Sequence, residues 1–201
     1  MRFSALFSPR SVAVIGAHAE EGHVGYALMK NLLADQRERR IIPVTEKFSE
    51  VCGVPTTPSI SAVQAEIDLA VIAVASDRVP LVLRECGQKG IPAAIVISAG
   101  FKEVGAEGAA REAELAVIAR EYDMILVGPN CLGVINANEG MNASFSAGGP
   151  TGGSIAFVSQ SGAIATSLID WSLAEGVGFS KIISLGNEAL LSEIAFLEYL
   201  R

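Results

Sequence analysis

The chain has 201 residues, half of them hydrophobic and only 18% charged, against about 25% charged in an average soluble protein. Fifteen basic against 22 acidic residues leave a net charge of −7, which excludes nucleic acid as a bulk partner but allows local phosphate binding through backbone amides. No apolar run approaches the ~20 residues that span a bilayer, so no membrane partner is expected. The N-terminus carries a single arginine and no long apolar stretch, and Cys52, Cys86 and Cys131 are scattered. Together these features predict a cytoplasmic protein with reduced thiols and no secretory signal.

Along the chain, strands and helices alternate almost without interruption. Residues 11–15, Ser-Val-Ala-Val-Ile, are expected as a first strand, followed by a glycine-punctuated turn from Gly16 to Gly25. Leu28 and Leu32, with Met29 and Leu33 beside them, have helical spacing and predict a helix over 26–34. Strands follow at 40–44, 68–75 and 93–98; the short apolar run from Leu69 to Ala75 suits a parallel strand covered on both faces. Residues 79–89 read as an amphipathic helix stopped by Gly90 and Pro92. Residues 106–122, rich in Ala, Glu and Arg, form the next helix, and 124–127 a fifth strand running into Gly128-Pro-Asn130.

This repetition predicts an α/β fold over 1–136, a Rossmann-type doubly wound parallel sheet with right-handed crossovers. Residues 137–153 turn to Asn, Gly, Ser and Pro and read as a linker with surface loops. The pattern restarts over 154–201 with a strand at 154–158, a helix at 163–174, a strand at 181–185 and a helix at 192–200. That is about half of a flavodoxin-like domain. Two strands make a poor sheet on their own, so this part is expected to be cut short or completed by another chain.

The first turn carries the chemistry. Gly16 follows a strand, and Gly22 and Gly25 precede a helix. Such a turn brings backbone amides and the positive end of the helix dipole to a pyrophosphate. Glycine is needed there because a Cβ blocks the approach or forbids a positive φ. The spacing G-x5-G-x2-G departs from the dinucleotide fingerprint G-x-G-x-x-G, and a glycine-rich connection without a ligand competes with the binding reading. After the second strand, Glu46 lies 21 residues beyond Gly25, where an acidic residue in NAD binders takes the ribose hydroxyls. Its neighbour Lys47 suits a phosphorylated ribose instead, or a solvated surface.

Several segments together resemble the NDP-forming acyl-CoA synthetases, relatives of the succinyl-CoA synthetase α subunit. They include Leu6-Phe-Ser-Pro-Arg-Ser-Val-Ala-Val-Ile-Gly-Ala17, Gly22-His-Val-Gly-Tyr26 and Val96-Ile-Ser-Ala-Gly-Phe-Lys-Glu-Val-Gly105. Gly128-Pro-Asn-Cys-Leu-Gly-Val-Ile-Asn136, Phe157-Val-Ser-Gln-Ser-Gly-Ala163, Asp170-Trp171 and Ser184-Leu-Gly-Asn187 continue the match. The resemblance implies coenzyme A as the ligand of the first domain. It puts the pyrophosphate at the Gly16–Gly25 turn, lined by Ala17, His18 and Val24, with Lys47 on the nucleotide phosphate. Val74 and Ala75, and Ser98 and Ala99, are implied along the cofactor. Ser161, Gly162 and Ala163 are implied at the phosphate of a phosphohistidine, although Ser161 also reads as an ordinary helix N-cap. Two departures stand out: the family's Asn-Pro-Lys is Thr45-Glu46-Lys47 here, and Glu188-Ala-Leu-Leu-Ser-Glu-Ile-Ala195 lacks some of the family's acidic residues.

The synthetase reaction converts an acid, CoA and ATP to acyl-CoA, ADP and phosphate through a phosphorylated histidine. The only histidines, His18 and His23, both lie in the first turn. The resemblance places the nucleophile beyond Arg201, so no catalytic residue and no metal site is expected within the chain, and it is expected to be inactive alone. The implied partners are an ATP-grasp domain or β subunit, fused or separate, an acid or acyl-CoA, and further copies in an oligomer. Two other readings are a regulatory synthetase-like half of a protein-lysine acetyltransferase and an NAD(P)-binding oxidoreductase domain.

Overall fold

A computed structural model describes residues 3–201. In chain order the elements are α1 (Phe3–Phe7), β1 (Ser11–Ile15), α2 (Val24–Ala34), β2 (Arg40–Val44), β3 (Glu50–Val51), β4 (Val54–Pro55), β5 (Leu69–Ile72) and α3 (Val79–Gln88). Then come β6 (Ala93–Val96), α4 (Ala106–Glu121), β7 (Ile125–Val127), β8 (Gly133–Asn136), β9 (Met141–Ser144), β10 (Gly152–Ser159), α5 (Gly162–Glu175), β11 (Phe179–Ser184) and α6 (Glu193–Leu200). The expected doubly wound sheet is present: five strands in the order β2-β1-β5-β6-β7, all parallel. The order reverses between β1 and β5, and in open α/β sheets ligands bind at the carboxyl ends of the strands flanking such a reversal.

Alternation along the strands builds two separate cores. Val12 and Val14 of β1 pack with Leu28, Met29 and Leu32 of α2 on one face. Ala13 and Ile15 point the other way, to Val79 and Leu83 of α3 and to Leu115 and Ile118 of α4. Pro43 is accommodated because β2 lies at the sheet edge, where a missing N–H breaks no ladder bond. β5 and β6 are shorter than the sequence predicts: beyond the last inter-strand bonds, from the Ala73 and Ile97 amides, the chain turns away to form the rim of a cleft.

The linker expected over 137–153 is not one. Met141–Ser144 is a strand with Met141, Ala143 and Ser144 buried, and it pairs antiparallel with Gly133–Asn136. These two strands join β11 and β10 in a four-stranded sheet, order β10-β11-β8-β9. The expected two-stranded remnant therefore gains strands from residues assigned to the end of the first domain and to the linker. The misreading has a physical cause. The Asn and Ser residues form a buried hydrogen-bond network instead of a solvated loop: Asn142 Oδ1 accepts from Ser144 Oγ at 2.6 Å, and Ser144 and Ser146 hydroxyls lie 2.7 Å apart.

The two sheets are tied closely. Asn31 of α2 donates to the carbonyls of Ser144 and Ser146 at 2.8 and 2.9 Å. Arg39, only 7% exposed, reaches the carbonyls of Pro9, Glu139 and Gly140. Phe7 and Phe196 are fully buried and meet edge to face, with Tyr199 stacked on Phe7. α5 covers the outer face of the second sheet through Ala165 and Ile169 against Ile135 and Ile182.

Candidate functional site

The β1–α2 turn requires its glycines for different reasons. Gly16 has φ +92°, and a Cβ there would lie 2.5 Å from the Ala73 carbonyl oxygen. A Cβ on Gly25 would lie 2.1 Å from the Gly16 carbonyl oxygen. Gly22 has φ +88° in open space, so its requirement is conformational alone. Ala17 is buried under the turn. The His23 carbonyl accepts from the amides of Tyr26 and Ala27, and the Val24 and Gly25 amides that open α2 have no protein acceptor among the described residues. Phe48 meets His18 edge-on at 4.7 Å, which brings the loop holding Lys47 beside the turn. Lys47 itself is exposed.

His18 stacks on His23 with centroids 3.5 Å apart, and its Nδ1 accepts from the Glu20 amide. With Glu20 these rings offer three potential metal-ligand atoms within 4.8 Å of one another. The rings are 22° from parallel, and His18 Nδ1 is already an acceptor, so the stack ties the two ends of the turn together.

A cleft of about 660 Å³ runs from this turn between the two sheets. Of the residues singled out in the sequence, Val24, Val74, Ala75, Ser98, Ala99, Gly162 and Ala163 line it together. Gly16 borders it through Ala73, while Ala17, His18, Gly22, Gly25, Lys47 and Ser161 lie outside the lining. Asn130, Leu132, Phe145, Gln160 and Thr166 are among the other wall residues, and the sequence reading assigned them no role. Phe145 falls in the misread linker, and Thr166 stands one turn beyond Gly162, where helical spacing could have flagged it. No side chain of the lining is charged at neutral pH.

The Cys131 thiol is no nucleophile: burial pushes it up to about 12, and it donates to the Val96 carbonyl. Ser161 caps α5, its hydroxyl accepting from the Ile164 amide at 3.3 Å. That leaves the Gly162 and Ala163 amides directed past the helix end without a protein acceptor among the described residues. Beside them Gln160 donates to both Glu188 and Glu193. Burial and the adjoining Glu193 hold the Glu188 carboxyl above its usual range.

The sequence model of the "CoA binding domain" matches residues 10–137. The chain belongs to that family. The "Succinyl-CoA ligase like flavodoxin domain" matches residues 152–201, so the β8–β9 pair of the second sheet straddles the end of the CoA-binding match. Acetate–CoA ligase [ADP-forming] I of Archaeoglobus fulgidus is 50% identical over 97% of this chain and 28% of its own length. The α subunit of acetate–CoA ligase [ADP-forming] I of Pyrococcus furiosus is 42% identical over 100% of this chain and 44% of its own. The structure of a dinucleotide-forming acetyl-coenzyme A synthetase 1 from Candidatus Korarchaeum cryptofilum superposes with TM-score 0.93 at 36% identity, covering 98% of this chain and 43% of that one. The chain thus spans less than half the length of these relatives. The acetyltransferase and oxidoreductase readings draw no support from them. Among the described residues no helix is long and apolar enough to cross a membrane.

Proposed function

We propose that this chain is the CoA-binding portion of an NDP-forming acyl-CoA synthetase. The observation that carries the reading is the cleft that joins the strand ends of the CoA-binding domain to the unpartnered amides of α5. In this reading the pyrophosphate lies on the Gly16–Gly25 turn, held by the first amides of α2 and its dipole. Lys47 meets the ribose phosphate from the adjoining loop. The arm of the cofactor passes Val74, Ala75, Ser98 and Ala99, which present small side chains and backbone. Its thiol then reaches Gly162 and Ala163, where the α5 N-terminus holds a phosphoryl group carried on a histidine of another segment. The side chains lining the cleft add no charge of their own beside that phosphoryl group. An ATP-grasp domain or β subunit supplies the nucleotide site, and the acid enters as the small-molecule partner. The relatives named above, ligases that extend well beyond this length, support that division of labour.

Calorimetric titration with coenzyme A and with NAD tests the reading. Saturable heat with coenzyme A and none with NAD is expected; tight NAD binding without a response to coenzyme A overturns it.

A further inference from the structure

Asn187 follows the glycine turn at Gly186 and is buried. Its Nδ2 lies 2.6 Å from Glu103 Oε2 and 2.8 Å from Glu112 Oε2. A carboxylate only accepts, so the two hydrogens of the Asn187 amide are committed to these two carboxylates. The carboxylates are held in turn: Glu103 Oε1 accepts from the amides of Gly100 and Phe101, and Glu112 takes the Lys102 amide and pairs with Lys102 Nζ at 3.5 Å. Lys102 Nζ also donates to the Asn187 carbonyl, and the Asn187 amide donates to the Pro129 carbonyl at 2.8 Å. Chemistry thereby sets which way the Asn187 side chain faces. Its oxygen must meet Asn130, whose Nδ2 lies 3.2 Å away and donates to it.

The orientation passes on. Asn130 stands in the cleft wall with φ +57°, its backbone amide bonded to the Ser98 carbonyl at 2.9 Å. With its nitrogen turned to Asn187, its oxygen is left without a protein donor among the described residues. Nearby carbonyls each already accept one bond: Val74 from the Ser98 hydroxyl, Val96 from the Cys131 thiol and Ser98 from the Asn130 amide. A ligand N–H drawn into this largely apolar cleft needs an acceptor, because an unpaired buried donor is costly. We propose that Asn130 Oδ1 is that acceptor, held ready by Asn187 and its two carboxylates, and that it takes a secondary-amide N–H from the arm of the cofactor. Asn187 is then a positioning residue. This inference rests on coenzyme A being the ligand.

Three ligands separate the possibilities in calorimetric titrations: coenzyme A, desulfo-coenzyme A, which keeps the amides and lacks the thiol, and adenosine 3′,5′-bisphosphate, which lacks the arm. Asn130→Gly, which suits the positive φ, should weaken coenzyme A and desulfo-coenzyme A by about five- to tenfold and leave the bisphosphate unchanged. Asn187→Leu should reproduce that selective loss by freeing Asn130 to turn; should that variant fail to fold, Asn130→Gly decides alone. Unchanged coenzyme A affinity in Asn130→Gly overturns the inference, and so does an equal loss for the bisphosphate. A loss confined to ligands bearing the thiol assigns the bond to sulfur and overturns the amide assignment. No coenzyme A binding by the unsubstituted chain overturns the functional reading, and this inference with it.

Discussion

Lys47 and Glu46 stand side by side and pull in opposite directions on a ribose phosphate, so the weight of Lys47 has to be measured. Lys47 is exposed, and the Phe48–His18 contact beside it holds the loop against the turn. Lys47→Ala is expected to weaken coenzyme A about tenfold or more, the loss of a charge-assisted contact, and to leave 3′-dephospho-coenzyme A nearly unaffected. Equal losses for both ligands would move the lysine to the pyrophosphate. Glu103 is a second residue with a measurable signature. Partial desolvation opposes its ionisation, but hydrogen bonds from Asn187, Gly100 and Phe101 outweigh this and hold the carboxyl at about 2, below its ordinary 4.5. A carboxylate whose pKa is depressed on folding adds stability above its unfolded pKa and loses it as pH falls through the folded one. The urea midpoint of Glu103→Gln should therefore lie below that of the unsubstituted chain at pH 7. The gap should close as pH drops from about 4.5 towards 2. A gap independent of pH would show that the charge is not what Asn187 reads. The side chain is exposed, so solvent screening keeps the effect modest.

At the scale of elements, α5 carries an internal cap and a free end at once. The Ser161 hydroxyl satisfies the Ile164 amide, while the Gly162 and Ala163 amides have no protein acceptor among the described residues. Cap and anion site are therefore compatible readings of the same serine, and the choice between them posed by the sequence dissolves. Ser161→Ala should cost about 0.5–2 kcal/mol of stability, seen as a lower thermal midpoint, because one helix-end donor loses its partner. Thermal unfolding checks it, and an unchanged midpoint would mean that water caps the helix equally well. The helices and parallel strands were legible because their apolar residues recur with period 3.6 or run unbroken through buried β-structure. The β3–β4 hairpin and α1 were not, since two-residue strands and a five-residue helix are too short to show a period.

For the whole molecule, the contacts between the sheets matter more than either sheet alone. Arg39, Asn31 and Asn136 each bond backbone carbonyls across that boundary. Unfolding followed by Trp171 fluorescence, which reports the second sheet, should coincide with unfolding followed by far-ultraviolet circular dichroism. Arg39→Ala should lower both midpoints together, at a cost of about 1.5–3 kcal/mol for charge-assisted bonds lost at a buried site. Separate transitions in the unsubstituted chain would show that the sheets fold independently. The exposed apolar residues Ile155, Trp171, Leu173, Ile194 and Leu197 lie on β10, α5 and α6. They are the part of the surface most suited to the further domains proposed above.

From residue order alone, the doubly wound sheet, the glycine turn and the family-like motifs could be read, since local periodicity and glycine placement are properties of neighbouring residues. The partition of the second sheet could not. Whether an Asn-Ser segment is a solvated loop or a buried strand depends on partners far along the chain, and here Asn31 supplies one of them. The cleft wall followed the same rule. Val74, Ala75, Ser98 and Ala99 sit at strand ends that the alternation of elements predicts. Phe145 and Thr166 enter only because a second sheet packs across the first. Asn130 lay inside a recognisable motif, but its acceptor role depends on Asn187 and two glutamates brought to it by tertiary packing. An amide side chain offers a donor and an acceptor with nearly the same shape, and only its neighbours decide which one faces the ligand.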